Sequence, residues 1–366
     1  MIKICHMTSA HKSNDVRIFH KQCTSLAKAG YDIYLVAQGE SYEANGVKIV
    51  GVPKVTGGRL KRMTQGAKSV YKKALEINAD IYQIHDPELL PYALKLKKKG
   101  KKVIFDSHED LIDSILDKSY MPMFLRRLLY FIFKIYYKII IKKYDAVITV
   151  TPHIYDKLVK LNKNTYIISN SPIINTHDEI KTYTVSRNII YAGGITNQWC
   201  HHFIIKSLEN CNDVKYVLLG LGSEKYLEEL RSQPEWKSVE YLGKIPFEEV
   251  RESFNKSSIG MAVLMYSGNT DYKNGTLGNT KLFEYMSEAL PVICTDFVLW
   301  KEIIDKYNCG ICVNPNNTEE ISAAINYLLD NPEVAREMGQ NGRRAILEEF
   351  NWGIEEKKLI ELYKAL

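Results

Sequence analysis

The sequence has no long hydrophobic run and no cysteine pattern typical of a disulfide framework. No stretch approaches the roughly 18 uncharged apolar residues that a bilayer-spanning helix needs. The amino-terminal stretch MIKICHMTSAHKSND lacks the apolar core and cleavage site of a signal peptide. The seven cysteines are odd in number and scattered, which does not suit a disulfide framework. We therefore expect a cytoplasmic protein in a reducing compartment.

Motifs for metal binding are scarce as well. Cys309 and Cys312 form a CxxC, but they lie in CGICVNP, which is typical of a strand, and no second pair lies nearby. The run HED at 108–110 has no HExxH spacing and no identifiable second group of ligands. We expect no metal ion at either place.

Length and composition indicate a two-domain globular protein. The chain has 366 residues, of which 45% are hydrophobic and 25% charged, and this length exceeds that of a typical single domain. The net charge of +6 suits anionic lipid surfaces, phosphorylated ligands and nucleic acid alike. No recognisable nucleic-acid-binding module accompanies it, so we expect no nucleic-acid partner.

Short apolar runs alternate with helical patterns in two series, which predicts two parallel sheets covered by helices on both faces. The polar, irregular stretch 173–187 separates the series and is typical of a linker. The predicted strands are 2–8, 33–37, 47–52, 81–85, 103–105, 146–150 and 166–168, then 189–192, 216–220, 239–242, 259–265, 292–294 and 310–313. Ligands of such sheets bind beyond the carboxyl ends of the strands.

The stretch 278–297, GNTKLFEYMSEALPVICTDF, predicts a helix followed by a buried strand. Free backbone N–H groups after NGTLGN favour an anion, phosphate above all. One turn into the helix, Glu284 is a carboxylate that accepts two hydroxyl hydrogen bonds at once. Together they describe a site for a nucleotide ribose-phosphate. The alternative is a solvated acid that the helix dipole favours.

Polar clusters follow three strands of the first series. His85 ends the fourth strand, His108 follows the fifth, and Asp15 and Arg17 follow the first. Titratable residues at the strand ends of one sheet indicate an active-site rim. The alternatives are a satisfied structural histidine, and an Asp-Arg pair that only caps and orients a helix.

The segment 120–144, YMPMFLRRLLYFIFKIYYKIIIKKY, predicts a basic, aromatic amphipathic helix. Arg127, Lys134, Lys138 and Lys142 fall within about 80° of one another on a helical wheel, and Arg126 adds a further charge. Such a helix lies in a bilayer interface beside anionic headgroups. The alternative is an ordinary buried helix with one solvated lysine stripe.

The run KLFEYMSEALPVICTD, 281–296, resembles the donor-binding signature of family 4 glycosyltransferases, which are retaining enzymes of the GT-B fold. The resemblance extends along nearly the whole chain. It implies two Rossmann-like, doubly wound parallel-sheet domains that face each other across a cleft. The acceptor-side domain would be 1–172 with a returning C-terminal helix, 351–366, and the nucleotide-sugar donor domain would be 188–350.

The resemblance also implies roles for single residues. His108 would be the catalytic histidine near the reacting sugar carbon, and Asp15, Arg17 and His85 would lie on the acceptor or phosphate side. No metal or cofactor would be needed besides the nucleotide-sugar substrate. The implied donor-binding set is Gly193, Gly194, Lys244, Thr276, Asn279, Thr280, Lys281 and Glu284.

Two positions depart from the family pattern. Many members carry a cationic clamp for the pyrophosphate, where this chain has Gly194 and, near the usual lysine, Gln198 and Trp199. Lys281 or Arg17 are the candidates to replace the missing charge. The first of the family's paired glutamates falls on Thr276, so the sugar is not readable from the sequence.

The expected function is transfer of a sugar from a nucleotide-sugar donor, expected to be UDP-linked, to a saccharide or lipid-linked acceptor. Surface polysaccharide synthesis at the cytoplasmic face of the inner membrane is the expected setting. A nucleotide-sugar 2-epimerase of the same architecture and a non-catalytic partner subunit are the alternatives.

Overall fold

The computed structural model describes residues 1–58, 61–107, 111–112, 122–174 and 184–366. It divides the chain into two compact units, each with its own sheet. Unit 1 comprises 1–170 together with 352–366, and unit 2 comprises 171–351. The sequence placed the first boundary at 172 and a linker at 173–187, and part of that linker lies outside the described residues.

The sheet of unit 1 has eight strands in the order β3-β4-β2-β1-β5-β6-β7-β8, all parallel except for the β3–β4 pair. The strands are β1 (Lys3–Lys12), β2 (Asp32–Gln38), β3 (Tyr42–Ala44), β4 (Val47–Val52), β5 (Ile81–Ile84), β6 (Lys102–Ser107), β7 (Ala146–Thr149) and β8 (Thr165–Ile167). After β2–β4 the chain returns to the other side of β1. The topological switch point, where sheets of this kind bind ligands, is therefore between β1 and β5.

The helices that precede unit 2 in the chain cover this sheet. They are α1 (Thr24–Lys28), α2 (Ala67–Ile77), α3 (Leu90–Lys98), α4 (Met123–Ile141) and α5 (Pro152–Leu158). Wider π-helical turns, Val16–Cys23 and Arg62–Gly66, lead into α1 and α2. Apolar side chains of these helices pack on the buried strands, which contain few charged residues because both of their faces are covered.

Unit 2 has a six-stranded, wholly parallel sheet in the order β11-β10-β9-β12-β13-β14. The strands are β9 (Asn188–Ala192), β10 (Lys215–Leu219), β11 (Val239–Gly243), β12 (Ile259–Ala262), β13 (Val292–Thr295) and β14 (Gly310–Val313). The helices are α6 (His201–Ser207), α7 (Glu224–Arg231), α8 (Phe247–Asn255), α9 (Lys281–Ser287), α10 (Val298–Tyr307), α11 (Thr318–Asp330) and α12 (Pro332–Glu348). The switch point is between β9 and β12.

The last helix, α13 (Trp352–Lys364), belongs to unit 1 although it follows unit 2 in the chain. Trp352 Nε1 donates to Ser25 Oγ at 2.9 Å, and Glu355 accepts from the backbone N–H of Ser169 at 2.8 Å. Near its other end, the buried Tyr363 hydroxyl donates to Gln83 Oε1 at 2.5 Å. The predicted return of the C-terminal helix to the first domain is confirmed.

Every strand predicted from the sequence is present, and within the described ranges β3 is the strand that the sequence analysis missed. β3 joins β4 through Asn45 and Gly46, whose φ angles are +53° and +74°. Both central residues of a tight hairpin turn need such positive φ, and an Asn-Gly pair supplies it. The three residues of β3 are partly or fully exposed, so the sequence has no apolar run there that would predict a strand.

Candidate functional site

The first turn of α9 holds the Glu284 carboxylate in a defined position. Thr280 Oγ1 donates to Glu284 Oε1 at 2.6 Å, and Lys281 Nζ lies 2.6 Å from Glu284 Oε2. The Glu284 side chain keeps 36% of its exposure. Because each carboxylate oxygen accepts more than one hydrogen bond, both still have capacity for a ligand hydroxyl.

The loop before α9 is pinned by its own polar groups. Thr276 Oγ1 accepts from the backbone N–H of Gly278 at 3.1 Å, and the Thr276 carbonyl accepts from Trp300 Nε1 at 2.8 Å. Asn279 Oδ1 accepts from the backbone N–H of Lys281 at 3.3 Å, which fixes the residue that precedes the N-cap, Thr280. The structure thus places Thr276, Asn279, Thr280, Lys281 and Glu284 along one short segment.

The turn after β9 meets the start of α9. A Cβ atom at Gly193 would lie 2.7 Å from Tyr191 Oη and 2.9 Å from Lys281 Cε, so any larger residue there would displace one or both side chains. Tyr191 Oη donates to the Gly194 carbonyl at 2.9 Å and steadies the turn. Burial raises the pKa of Tyr191, which keeps its hydroxyl protonated as a donor. The turn, Lys281 and Glu284 therefore form one site, the α9 site, at the carboxyl edge of the sheet.

Two residues of the predicted donor-binding set, Gly194 and Lys244, are placed differently from the others. Gly194 follows the turn with no atom within 4 Å of the place that a Cβ would take. Lys244 is exposed just after β11, and β10 separates its strand from β9. The structure places Lys244 at the same edge of the sheet, and shows no hydrogen bond or ion pair that would join it to the α9 site.

A cavity of about 550 Å³ in unit 2 does not include Glu284 or Gly193. It lies between the turn after β9, helices α6 and α7, and the segment after β12. The surface of its walls is mostly apolar, although most of its lining residues carry a polar group, and the sequence analysis did not anticipate it. The lining residues are Asn197, Gln198, His202, Tyr226, Glu229, Leu230, Gln233 and Met265.

In unit 1, Arg17 is a core residue rather than a surface ligand for phosphate. Its side chain is buried, with the whole residue 7% exposed, and Nε and Nη2 donate to the two oxygens of Asp106 at 3.2 and 2.9 Å. Nη1 donates to the carbonyl of Ile168 at 3.0 Å. Asp15 caps the helical turn by accepting from the backbone N–H groups of Arg17 and Ile18. The expected phosphate-side role of Arg17 does not fit this burial.

His85 also points into the core of unit 1. Its Nε2 lies 3.0 Å from His6 Nδ1, and its Nδ1 lies 3.4 Å from Asp106 Oδ2. Burial lowers the pKa of His6 well below its usual value, and the neighbouring His85 adds to that shift, so His6 is neutral. The expected place of His85 on the acceptor rim does not fit its burial, because the residue is 3% exposed.

A half-buried histidine at the β1–β5 switch point, His11, was missed by the sequence analysis. Its Nδ1 lies 3.3 Å from Asp15 Oδ2 and its Nε2 lies 3.5 Å from Asp86 Oδ1. The hydrogen bond to Asp15 raises the pKa of His11. Burial would raise the pKa of Asp15, but hydrogen bonds from His11 and the backbone of Ile18 outweigh it and bring that pKa to about 2. The available signal was a histidine four residues before an acid, shortly after the predicted strand 2–8.

Asp86 organises the end of β1 around this group. Its Oδ2 accepts from Thr8 Oγ1 at 2.8 Å and from the backbone N–H groups of Ser9 and Ala10 at 2.6 and 3.2 Å. The expected catalytic residue His108 lies outside the described residues. Across the described ranges, no group of three His, Cys, Asp or Glu side chains is arranged to hold a metal ion.

Helix α4 has two apolar faces. One face packs on the core of unit 1 through Tyr137, Ile140 and Ile141. The other is open to solvent, where Phe124 and Phe131 are 74% and 62% exposed. A single solvated lysine stripe, the alternative that the sequence left open, does not describe this helix. The remaining exposed apolar residues of the helix are Met123, Leu128, Leu129, Ile132, Ile135, Tyr136 and Ile139.

Basic residues border this open face. Arg127, Lys138 and Lys142 are exposed, and Lys134 is partly buried with its Nζ 3.2 Å from Tyr130 Oη. Arg126 is partly buried as well. Within the described ranges no helix, α4 included, has both the length and the mean hydropathy to cross a bilayer.

Two sequence families match consecutive parts of the chain. The family described as Glycosyltransferase Family 4 matches residues 16–171, and the family described as Glycosyl transferases group 1 matches residues 174–345. Among individual proteins, an uncharacterized glycosyltransferase of Methanocaldococcus jannaschii is 24% identical over 289 residues, which is 74% of this chain and 69% of that protein.

Solved structures with similar folds include two that align with the whole chain. Sucrose-phosphate synthase from Thermosynechococcus elongatus has a TM-score of 0.75 at 14% identity, and the alignment covers 100% of this chain and 99% of the synthase chain. The Anabaena protein HepE, solved in complex with UDP and glucose, has a TM-score of 0.72 at 13% identity and is covered to 100%. At these identities the likeness concerns the fold.

Proposed function

Because the chain is a glycosyltransferase of the family 4 type, with two Rossmann-like units in the GT-B fold, we propose that the α9 site of unit 2 binds a nucleotide-sugar donor, UDP-linked. The sugar is transferred with retention of configuration to a saccharide or lipid-linked saccharide acceptor. The proposed reaction needs no metal ion and no cofactor besides the nucleotide-sugar substrate.

One observation carries the donor assignment: the Glu284 carboxylate is held by Thr280 and Lys281 and is still open to solvent. A ribose presents two neighbouring hydroxyls, and a carboxylate with both oxygens oriented accepts them as a pair. The Gly193 turn brings backbone close to the same place, at the switch point where doubly wound sheets bind ligands. The UDP complex of the similarly folded HepE supports the choice of UDP.

We propose that α4 docks unit 1 on an anionic membrane surface. Phenylalanine and isoleucine side chains on its open face would enter the interface, and the bordering lysines and arginines would meet acidic headgroups. A lipid-linked acceptor lies at such a surface. This favours a role in assembling a surface polysaccharide, as the sequence analysis expected.

Binding of nucleoside diphosphates tests the donor site. Calorimetric titrations of the purified protein with UDP, GDP and ADP are compared with those of Glu284→Ala and of a control, Glu252→Ala. Glu252 is an exposed acid on α8 that pairs with Lys256 at 4.0 Å. We expect one diphosphate to bind, Glu284→Ala to weaken it at least tenfold, about 1.4 kcal/mol, and the control to have no effect. Absence of binding by all three would contradict the proposal.

Acceptor dependence distinguishes transfer from epimerisation. A transferase releases little nucleotide from its donor until an acceptor is added, since water is a poor substitute for the acceptor in a protected site. An epimerase converts the nucleotide sugar without any acceptor. Product analysis of the donor incubated with and without saccharide acceptors therefore decides between the two reactions.

A further inference from the structure

We infer that Lys281 is the cation that binds the donor diphosphate and stabilises it as the leaving group. This rests on the proposed nucleotide site. A nucleoside diphosphate carries several negative charges, and more charge develops on it as the bond to the sugar breaks, so a fixed cation beside it speeds the reaction. The turn after β9 offers none, because Gly193, Gly194 and Trp199 are uncharged.

The stem of Lys281 lies against the glycine turn. Its Cε sits 2.9 Å from the place that a Cβ of Gly193 would take, so the missing side chain at Gly193 makes room for the lysine. The turn itself is fixed by the hydrogen bond from Tyr191 Oη to the Gly194 carbonyl. A ligand that approaches the exposed backbone of Gly194 therefore comes close to the lysine ammonium.

The Lys281 ammonium group has N–H donors available for a ligand. In the part of the chain that the structure describes, its hydrogen bond is the one to Glu284 Oε2 at 2.6 Å. An ammonium group donates three hydrogen bonds, so two are open to phosphate oxygens. The Lys281 side chain is 19% exposed, and partial burial strengthens its attraction for an anion relative to a fully solvated lysine.

The ion pair gives the donor a fixed register. Ribose hydroxyls donate to Glu284, and diphosphate oxygens accept from Lys281, so adjacent groups of one donor meet adjacent members of one ion pair. Before the donor binds, each residue balances the charge of the other. The pair thus holds the site ready without leaving a lone charge partly buried.

Other cations among the described residues are placed less well to meet the diphosphate. Lys273 Nζ lies over the ring of Tyr266, 5.4 Å from its centroid, and Arg251 pairs with Glu288 at 3.1 Å. Lys244 lies two strands away from β9 in the sheet. In unit 1, the Arg17 guanidinium is held in the core by Asp106.

The experiment compares a nucleoside diphosphate with its nucleoside. Affinities for UDP by calorimetry and for uridine by ligand-observed NMR are measured for wild type, Lys281→Met, Lys281→Arg and a control, Lys256→Met. Lys256 is exposed at the opposite, amino edge of the sheet, where α8 leads into β12. We expect Lys281→Met to weaken UDP at least tenfold and uridine less than twofold, Lys281→Arg to retain most of the UDP affinity, and the control to match wild type.

A second-site variant keeps the test independent of folding. Gly194→Arg has space at its Cβ position and puts a guanidinium beside the same turn, so Lys281→Met/Gly194→Arg should recover UDP affinity. If wild type binds UDP and Glu284→Ala weakens it, while Lys281→Met does not, this inference is wrong and the donor site stands. Equal losses of UDP and uridine in a folded Lys281→Met would also overturn it. If wild type binds no diphosphate, the inference falls with the proposed function.

Discussion

The hydroxyl of Tyr363, in the last helix of the chain, donates a hydrogen bond to Gln83 in β5, 280 residues earlier. Both side chains are fully or almost fully buried, and the same hydroxyl lies 3.3 Å from His6 Nε2. Helix α13 is therefore attached to unit 1 by specific polar contacts as well as by apolar packing. We therefore expect these polar contacts to contribute to the stability of unit 1.

Tyr363→Phe should destabilise unit 1. The change leaves the buried Gln83 oxygen without its donor, which costs about 1 to 3 kcal/mol. Thermal unfolding followed by calorimetry measures it, with each unit treated as its own transition because two domains need not unfold together. The control is Tyr327→Phe on the exposed side of α11. A melting profile of Tyr363→Phe equal to that of the control would show that the hydrogen bond does not hold α13.

Arg17→Met should destabilise the protein without weakening diphosphate binding by the folded fraction. Removing one partner of a buried ion pair leaves Asp106 uncompensated, at a cost of about 3 to 5 kcal/mol. The matched control is Arg231→Met, which breaks an exposed pair with Glu224 and should cost at most about 1 kcal/mol. Denaturant unfolding and UDP titration are the two measurements. Lost UDP affinity at unchanged stability would instead make Arg17 a phosphate ligand.

Vesicle binding should depend on both the apolar and the basic side chains of α4. Phe124→Ser/Phe131→Ser removes two exposed anchors, and Lys138→Gln/Lys142→Gln removes two charges worth about 1 kcal/mol each near an anionic surface. Sedimentation with phosphatidylglycerol vesicles should show at least a tenfold loss for each pair, and pure phosphatidylcholine should bind weakly. Leu347→Ser, on an exposed position of α12 in unit 2, is the control. Equal binding by all variants would contradict the docking role.

His11 should titrate above its usual pKa of about 6.5, because its hydrogen bond to Asp15 favours the charged ring. A group whose pKa is raised on folding adds stability at pH values below its unfolded pKa, and this contribution is lost as the pH rises through the folded value. NMR titration of the ring protons of His11 measures the pKa. Asp15→Asn should lower it, and Asp32→Asn, which breaks the exposed pair with Lys48, should not. An unshifted His11 pKa in wild type would contradict the contact.

Chelation should leave transfer unaffected. In the proposed mechanism, Lys281 and backbone N–H groups balance the negative charge of the leaving diphosphate, so the reaction requires no divalent ion. Initial rates with and without EDTA, before and after dialysis against the chelator, measure this. A rate that falls with EDTA and recovers with Mg²⁺ or Mn²⁺ would show that a metal ion shares the role.

The sequence predicted the parts of the fold that depend on local pattern. Strands such as Val47–Val52 and Gly310–Val313 were predicted at their observed bounds, because an apolar run between turn residues is a local signal. The start of α9 was predicted for the same reason: Asn279, Lys281 and Glu284 lie within six residues.

Contacts between distant residues were not predictable in this way. Arg17 meets Asp106 across 89 positions of sequence, and nothing near Arg17 shows that its partner lies in β6. His85 likewise faces His6 from another strand. For α4, periodicity identified a basic stripe but not which of two apolar faces packs on the sheet, since that depends on where the helix lies over β6 and β7.

A crystal structure of the protein with UDP tests the central claim most directly. The account predicts that both ribose hydroxyls lie within hydrogen-bond distance, about 3 Å, of the two Glu284 oxygens, with the diphosphate at Lys281 and the Gly193 turn. A ribose bound elsewhere, such as in the cavity beside His202 and Tyr226, would contradict it.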